Sequence, residues 1–336
     1  MAVPENFDVE GERPPRRSDR RRTLFRDLAI AVLAVAIFFA GLFAFTQVWP
    51  PLVVVESSSM QHSDVESYVG VVDTGDLVLV QAAPARDAVV TWVQGRVSGH
   101  STYGDYGDVI IFRKPGTSAS STPIIHRAIL YIVPNGTDAY DVPDLTALPS
   151  PIWEGYDRNG SRVESAYGLR SVTIHGMGWR RDLGITFNLA GFAQLVATRG
   201  RSGYVTMGDH NADSACQNPD PCLPFPPYDQ GWLVPQENIV GRARGEIPWF
   251  GLIKLMAQPS GSCCQGWGDP AAPANSWNSL LVALVLLIAA PFALEGIVWA
   301  VGRYVAPRFR RGREEPESGG TAADDNPGPK GGSSGP

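Results

Sequence analysis

The sequence has no basic excess. Its 28 Lys and Arg are outnumbered by 34 Asp and Glu, for a net charge of −6 and a pI near 5.4. Nucleic acid is therefore not a favoured partner, because phosphate backbones demand concentrated positive charge. Strong helical periodicity is scarce between residues 50 and 275, while Gly (36) and Pro (28) are abundant. That combination points to a loop-rich, mostly β domain. No internal repeat is visible. The two ends, 1–23 and 312–336, lack the apolar content to build a core and are expected to be disordered. Cysteine is scarce too: Cys216, Cys222, Cys263 and Cys264. The adjacent Cys263 and Cys264 do not match zinc-ligand spacing, and no His follows at a fitting offset.

Two segments depart from this average. Leu28 to Val48 carries no charged residue, and at roughly 1.5 Å per residue it matches a bilayer core of ~30 Å. Trp277 to Val301 is a second apolar run, with Pro291 and, late in the segment, Glu295. A carboxylate near a span end reaches for the interface at modest cost. Arg16, Arg17, Arg20, Arg21, Arg22 and Arg26 precede the first run, and Arg303, Arg308, Arg310, Arg311 and Arg313 follow the second. Cytoplasmic flanks carry such charge, so both termini are expected in the cytoplasm and the segment between the spans outside. An uncleaved anchor is preferred to a cleaved signal peptide. The first run is long, and no small-x-small site precedes Pro50 and Pro51. The expected organisation is a basic tail 1–27, spans 28–48 and 277–301, an extracytoplasmic domain 49–276 and a tail 302–336. Outside the cell a Cys216–Cys222 disulfide across QNPDP is favoured over a metal site, with free thiols in between.

Within the outer domain, strands are expected at PLVVVES (50–56), DLVLVQ (76–81), DVIIFRK (108–114), IIHRAILYIV (124–133), GYVTMGDHN (203–211) and NIVGRARGEIPWFG (238–251). Residues 135–200 show a weaker pattern and read as an insertion; Asn135 and Asn159 open Asn-x-Ser/Thr triplets in it.

Three serines, Ser57 to Ser59, stand just beyond the first span, in VVVESSSMQHS. A serine hydroxyl becomes a nucleophile only with a base to take its proton and donors to hold the oxyanion. Of the five histidines, only His126 lies in a strongly apolar β-type run that would hold it rigidly. His62, His100 and His175 lie among polar residues and read as surface loops; from chemistry alone, a structural role is the commoner one for any single histidine.

SSSM (57–60), GDVIIF (107–112), IIHR (124–127), GDHN (208–211) and VGRARGEIPWFG (240–251) occur in that order, directly after the anchor. The set resembles type I signal peptidases of the archaeal and endoplasmic-reticulum branch over about 50–255. Bacterial members carry lysine where this chain has His126. The resemblance implies a signal-peptidase-like β domain held by two transmembrane helices, with Ser59 as nucleophile, Ser57 at the oxyanion and His126 as general base. It implies cleavage of exported preproteins after small residues, with no metal or organic cofactor. Lipid would surround the anchors, and the export channel would be a neighbour. The family's acidic member is less clear. Asp209 lies in GDHN, but Ala215 occupies the position of a second Asp. Asp213 is near at the wrong offset, and Asp229 precedes the strand to Gly241. Asp229 is the favoured partner of His126 if 213–228 loop out as an insertion. Two other readings stand: a non-catalytic β binding domain, and a same-fold protease for another membrane-linked precursor.

Overall fold

The computed structural model describes residues 17–178, 181–182, 184–211, 228–229, 231–259 and 263–305. The expected Cys216–Cys222 disulfide and Asp213 lie outside these residues, as do 1–16 and 306–336. The chain falls into two compact units, 1–280 and 281–336.

The first unit opens with α1 (Arg17–Thr46), whose stretch Leu24–Thr46 is long and apolar enough to cross a membrane and buries none of its most apolar window in the protein. The helix ends two residues earlier than the apolar run suggests. Thr46 Oγ1 bonds back to Leu42 O at 2.9 Å, and Pro50 and Pro51 cannot continue a helix. The chain then forms β1 (Leu52–Val54) and β2 (Leu77–Gln81), followed by the short helix α2 (Trp92–Ser98). A capping box of Thr91 and Gln94 starts α2, and Gly99 at φ 80° ends it. A two-residue hairpin, β3 (Ser101–Thr102) and β4 (Asp105–Tyr106), leads to β5 (Val109–Phe112) and the long β6 (Ile124–Asn135).

Next come β7 (Ala139–Asp141), β8 (Trp153–Tyr156), β9 (Arg162–Val163), β10 (Ser171–His175), β11 (Gly184–Asn188) and the single turn α3 (Leu189–Phe192). The unit closes with β12 (Gly203–Met207), β13 (Ile239–Ile247), the short helix α4 (Gly251–Ala257) and the first turns of α5 (Ala274–Ala300). The second unit begins inside α5, where the described side chains are mostly apolar and exposed; Ala274–Arg303 is also long and apolar enough to cross a membrane.

The main sheet runs β1-β2-β13-β5-β6-β12, antiparallel throughout, with β7 added on β6. All six strands expected from the sequence lie in it. Val109 pairs with Arg127 and Ile110 with His126. Successive side chains alternate faces, so His126 and Arg127 point to opposite sides of β6.

Residues 135–200 are more than a surface insertion. They build a second antiparallel sheet, β11-β10-β8-β9. Val172, Ile174, Ile185 and Phe187 point inward by strict alternation. They share one apolar cluster with Trp92 of α2 and Ile129 and Leu130 of β6. Burying each such side chain is worth about 1.5–3 kcal/mol, so this sheet is part of the core that holds β6. Cys263 and Cys264 are joined to each other by a disulfide and are buried.

Candidate active site

Ser59 lies in a single 3₁₀ turn, Ser58–Met60, where the chain leaves β1. The next residue pins the turn: Met60 is buried among Val55, Val72, Val78 and Val80. Behind it, His210 N donates to Ser59 O at 3.0 Å. Gly208 passes so close that a Cβ there would collide with the Ser59 carbonyl. The serine therefore sits on a backbone fixed from two sides.

His126 reaches Ser59 from β6. Its Nε2 is 3.0 Å from Ser59 Oγ, and its Nδ1 is 2.7 Å from Asp229 Oδ2. A carboxylate accepts from Nδ1–H, which leaves the Nε2 lone pair facing the serine hydroxyl. Asp229 is itself held. Thr206 Oγ1 donates to Oδ2 at 2.6 Å, and Asp229 N donates to Thr206 O at 3.0 Å. Ser57 Oγ lies 3.3 Å from Ser59 Oγ. These groups open onto a cleft of about 320 Å³, lined by Val54, Glu56, Ser57 and Ser59 and by the run Thr122 to His126. Glu56 in its wall is paired with Lys254 Nζ at 2.6 Å.

Asp209, also expected at the site, is placed elsewhere. Its carboxylate takes a two-pronged bond from Arg127, Nε to Oδ1 at 2.8 Å and Nη2 to Oδ2 at 2.6 Å, and meets His62 Nε2 at 3.0 Å. Both Asp209 and Arg127 are fully buried. Burial opposes ionisation of Asp209, but the charge and hydrogen bonds of Arg127, with those of His62, hold its pKa at about 2. Arg127 also donates to the carbonyls of Thr102 and Tyr103, at 2.9 and 3.2 Å, tying the β3–β4 hairpin to β6.

His62 and His100 lie in loops, as expected, and each has a carboxylate partner. His62 is tied to Asp209, and His100 Nε2 lies 2.8 Å from Asp108 Oδ1. Asp108 also accepts from Arg244 at 2.9 Å, so the second arginine of GRARG serves as a tether between strands. His175 is exposed, as expected, but it is the last residue of β10 rather than part of a loop. The sequence reading missed Thr206, Arg127 and Glu56. Arg127 adjoins His126 in IIHR, and strand alternation alone marks it as facing away from that histidine. Among the described residues, no group of three or more His, Cys, Asp or Glu is placed to hold a metal ion.

Comparison of the chain with models of known families, with curated proteins and with solved structures finds no match.

Proposed function

We propose that the protein is a membrane-bound serine endopeptidase that removes signal peptides from exported preproteins, cutting after small residues. One observation carries this reading: Asp229, His126 and Ser59 form a continuous hydrogen-bonded chain ending at a hydroxyl in an open cleft, thirteen residues beyond the end of α1 at Thr46. A signal peptide's apolar core would occupy the bilayer and present its scissile bond at the outer surface. Holding enzyme and substrate in one membrane supplies proximity that side-chain binding need not provide. The five ordered motifs support the same reading.

In this mechanism Ser59 Oγ attacks the carbonyl of the residue before the cut while Nε2 of His126 takes its proton. Asp229 keeps the imidazole in the working tautomer and stabilises the imidazolium. Ser57 Oγ donates to the developing oxyanion. His126 then protonates the leaving amine, and water resolves the ester by the reverse path. A small side chain before the cut suits a cleft walled by Val54, Ile124 and Ile125. The domain would lie outside the cytoplasmic membrane with both termini inside, close to the export channel.

The test is cleavage of a preprotein by the purified full-length protein in membranes, beside Ser59→Ala. Processed product from the native protein and none from the variant is the expected result. Equal product from both, or none from either, would overturn the reading.

A further inference from the structure

Just after Ser59 the chain enters a loop, 61–70, that exposes apolar side chains beside the carboxylates of Asp64 and Glu66. Val65, Tyr68 and Val69 are 62%, 52% and 74% exposed, while Gln61 and Ser67 beside them are buried. The loop is firmly held. Ser67 N donates to Asn275 Oδ1 at 2.7 Å, and Asn275 Nδ2 donates back to Ser67 O at 3.1 Å. Asn275 N donates to Val65 O at 3.0 Å, and Trp249 Nε1 to Ser67 Oγ at 3.0 Å. Asn275 is the second residue of α5. A separate segment arrives at the same place. Trp267, 53% exposed, has its ring 5.4 Å from that of Trp277, which is buried one turn into α5. Two stretches far apart in sequence thus bring exposed apolar side chains to the start of one helix.

If α5 crosses a membrane, as the proposed function requires, its first turn lies at the level of the lipid headgroups. The geometry points to a lipid-contact surface formed by Val65, Tyr68, Val69 and Trp267, resting at the boundary between headgroups and acyl chains. Tyr and Trp favour that boundary because each has an apolar body and a polar tip. The two valines lose their exposed apolar area to the acyl region. Asp64 and Glu66 lie in the same loop, and the Tyr68 hydroxyl donates to Glu66, so the surface suits zwitterionic rather than anionic lipid. A consequence follows for the serine. Gln61 N bonds Ser58 O at 3.0 Å, and His210 touches both Ser59 O and Gln61 O, at 3.0 and 3.2 Å. The depth of the loop therefore sets the height of Ser59 above the bilayer.

The test uses the full-length protein in phosphatidylcholine vesicles. An environment-sensitive fluorescent residue is placed at position 69, 267 or 287, one per sample, and quenched by lipids brominated either near the headgroup or deep in the acyl chain. Shallow-bromine quenching at 69 and 267, with deep-bromine quenching at 287, is the expected pattern. Quenching at 287 with none at 69 and 267 would overturn the lipid surface while leaving α5 as a span, and the patch would then belong to a protein partner. No quenching at 287 would remove the span and the lipid surface together.

Discussion

Two histidine–carboxylate pairs lie close to Ser59, and they are built for opposite ends. His126–Asp229 continues to the serine hydroxyl and opens on a cleft. His62–Asp209 continues to Arg127 and is closed off, its carboxylate fully buried. The distances within the pairs are similar, 2.7 and 3.0 Å. What separates them is the third member. A carboxylate already bonded by a guanidinium has little basicity to lend to an imidazole, and its worth lies in keeping a buried cation paired. Asp229 instead meets a hydroxyl, Thr206, that leaves its charge available to His126. A His–Asp contact is therefore weak evidence of chemistry until its next neighbour is known.

The contrast can be broken most forcibly at the two groups that only the open chain uses. Ser59→Ala and His126→Ala should each lower preprotein cleavage about 10⁴-fold or more, whereas His62→Ala should keep measurable turnover. Comparable loss from His62→Ala in a protein that still melts normally would erase the distinction. Gly208→Ala sharpens the comparison at the backbone. The added methyl meets a carbonyl, not a flexible side chain, so Ser59 must shift. Small displacements of a reacting atom can cost about 100-fold, and activity should fall by that order with membrane insertion intact. Unchanged turnover would mean that the serine turn is not fixed there. Ser57→Ala removes the proposed oxyanion donor and should cost about 10²–10³-fold in kcat, with little change in KM. A change confined to KM would assign Ser57 to binding.

The smallest effect concerns a third set of carboxylates, Asp73, Asp76 and Glu246, of which Asp73 lies beside His62. Burial pushes the pKa of Asp76 up to about 8, of Asp73 to about 6 and of Glu246 to about 7. Folding thus retains protons that the unfolded chain releases near its ordinary carboxylate pKa of about 4. Stability from these groups is complete below that value and is lost as pH rises through about 6 to 8. Thermal unfolding followed across pH 5–8 should show Tm falling with pH, and Asp76→Asn should flatten the slope. A Tm that rises over this interval in the native protein would contradict the sign.

The main sheet was legible because its strands are runs rich in Val and Ile set between turn residues, with Gly75-Asp76 and Gly107-Asp108 opening two of them, and their side chains alternate or are buried on both faces. Motif order picked out Ser59 and His126, and the place just before the strand to Gly241 picked out Asp229; the structure brings these three side chains into contact. Residues 135–200 were not legible as part of the core. Their strands are two to five residues long, half of each is polar, and the partners that bury them, Trp92 and Ile129, lie far away in sequence. His62 lies in a loop, as its polar neighbours suggest, but its carboxylate partner was not legible because Asp209 is 147 positions distant. The partners of Asp209 were not legible for a related reason: nothing local to GDHN announces that Arg127 will stand behind it.

The most direct measurement sets Asp229→Asn beside Asp209→Asn, each assayed for preprotein cleavage and for thermal unfolding in the same membrane preparation. Asp229→Asn should melt close to the native protein and lose about 10⁴-fold in kcat, the cost of the wrong imidazole tautomer. Asp209→Asn should lose about 3–5 kcal/mol of stability by leaving Arg127 buried without its counter-charge, and any folded fraction should still cleave. A fully active Asp229→Asn protein beside a stable but inactive Asp209→Asn protein would contradict the assignment and place the working carboxylate in the buried pair.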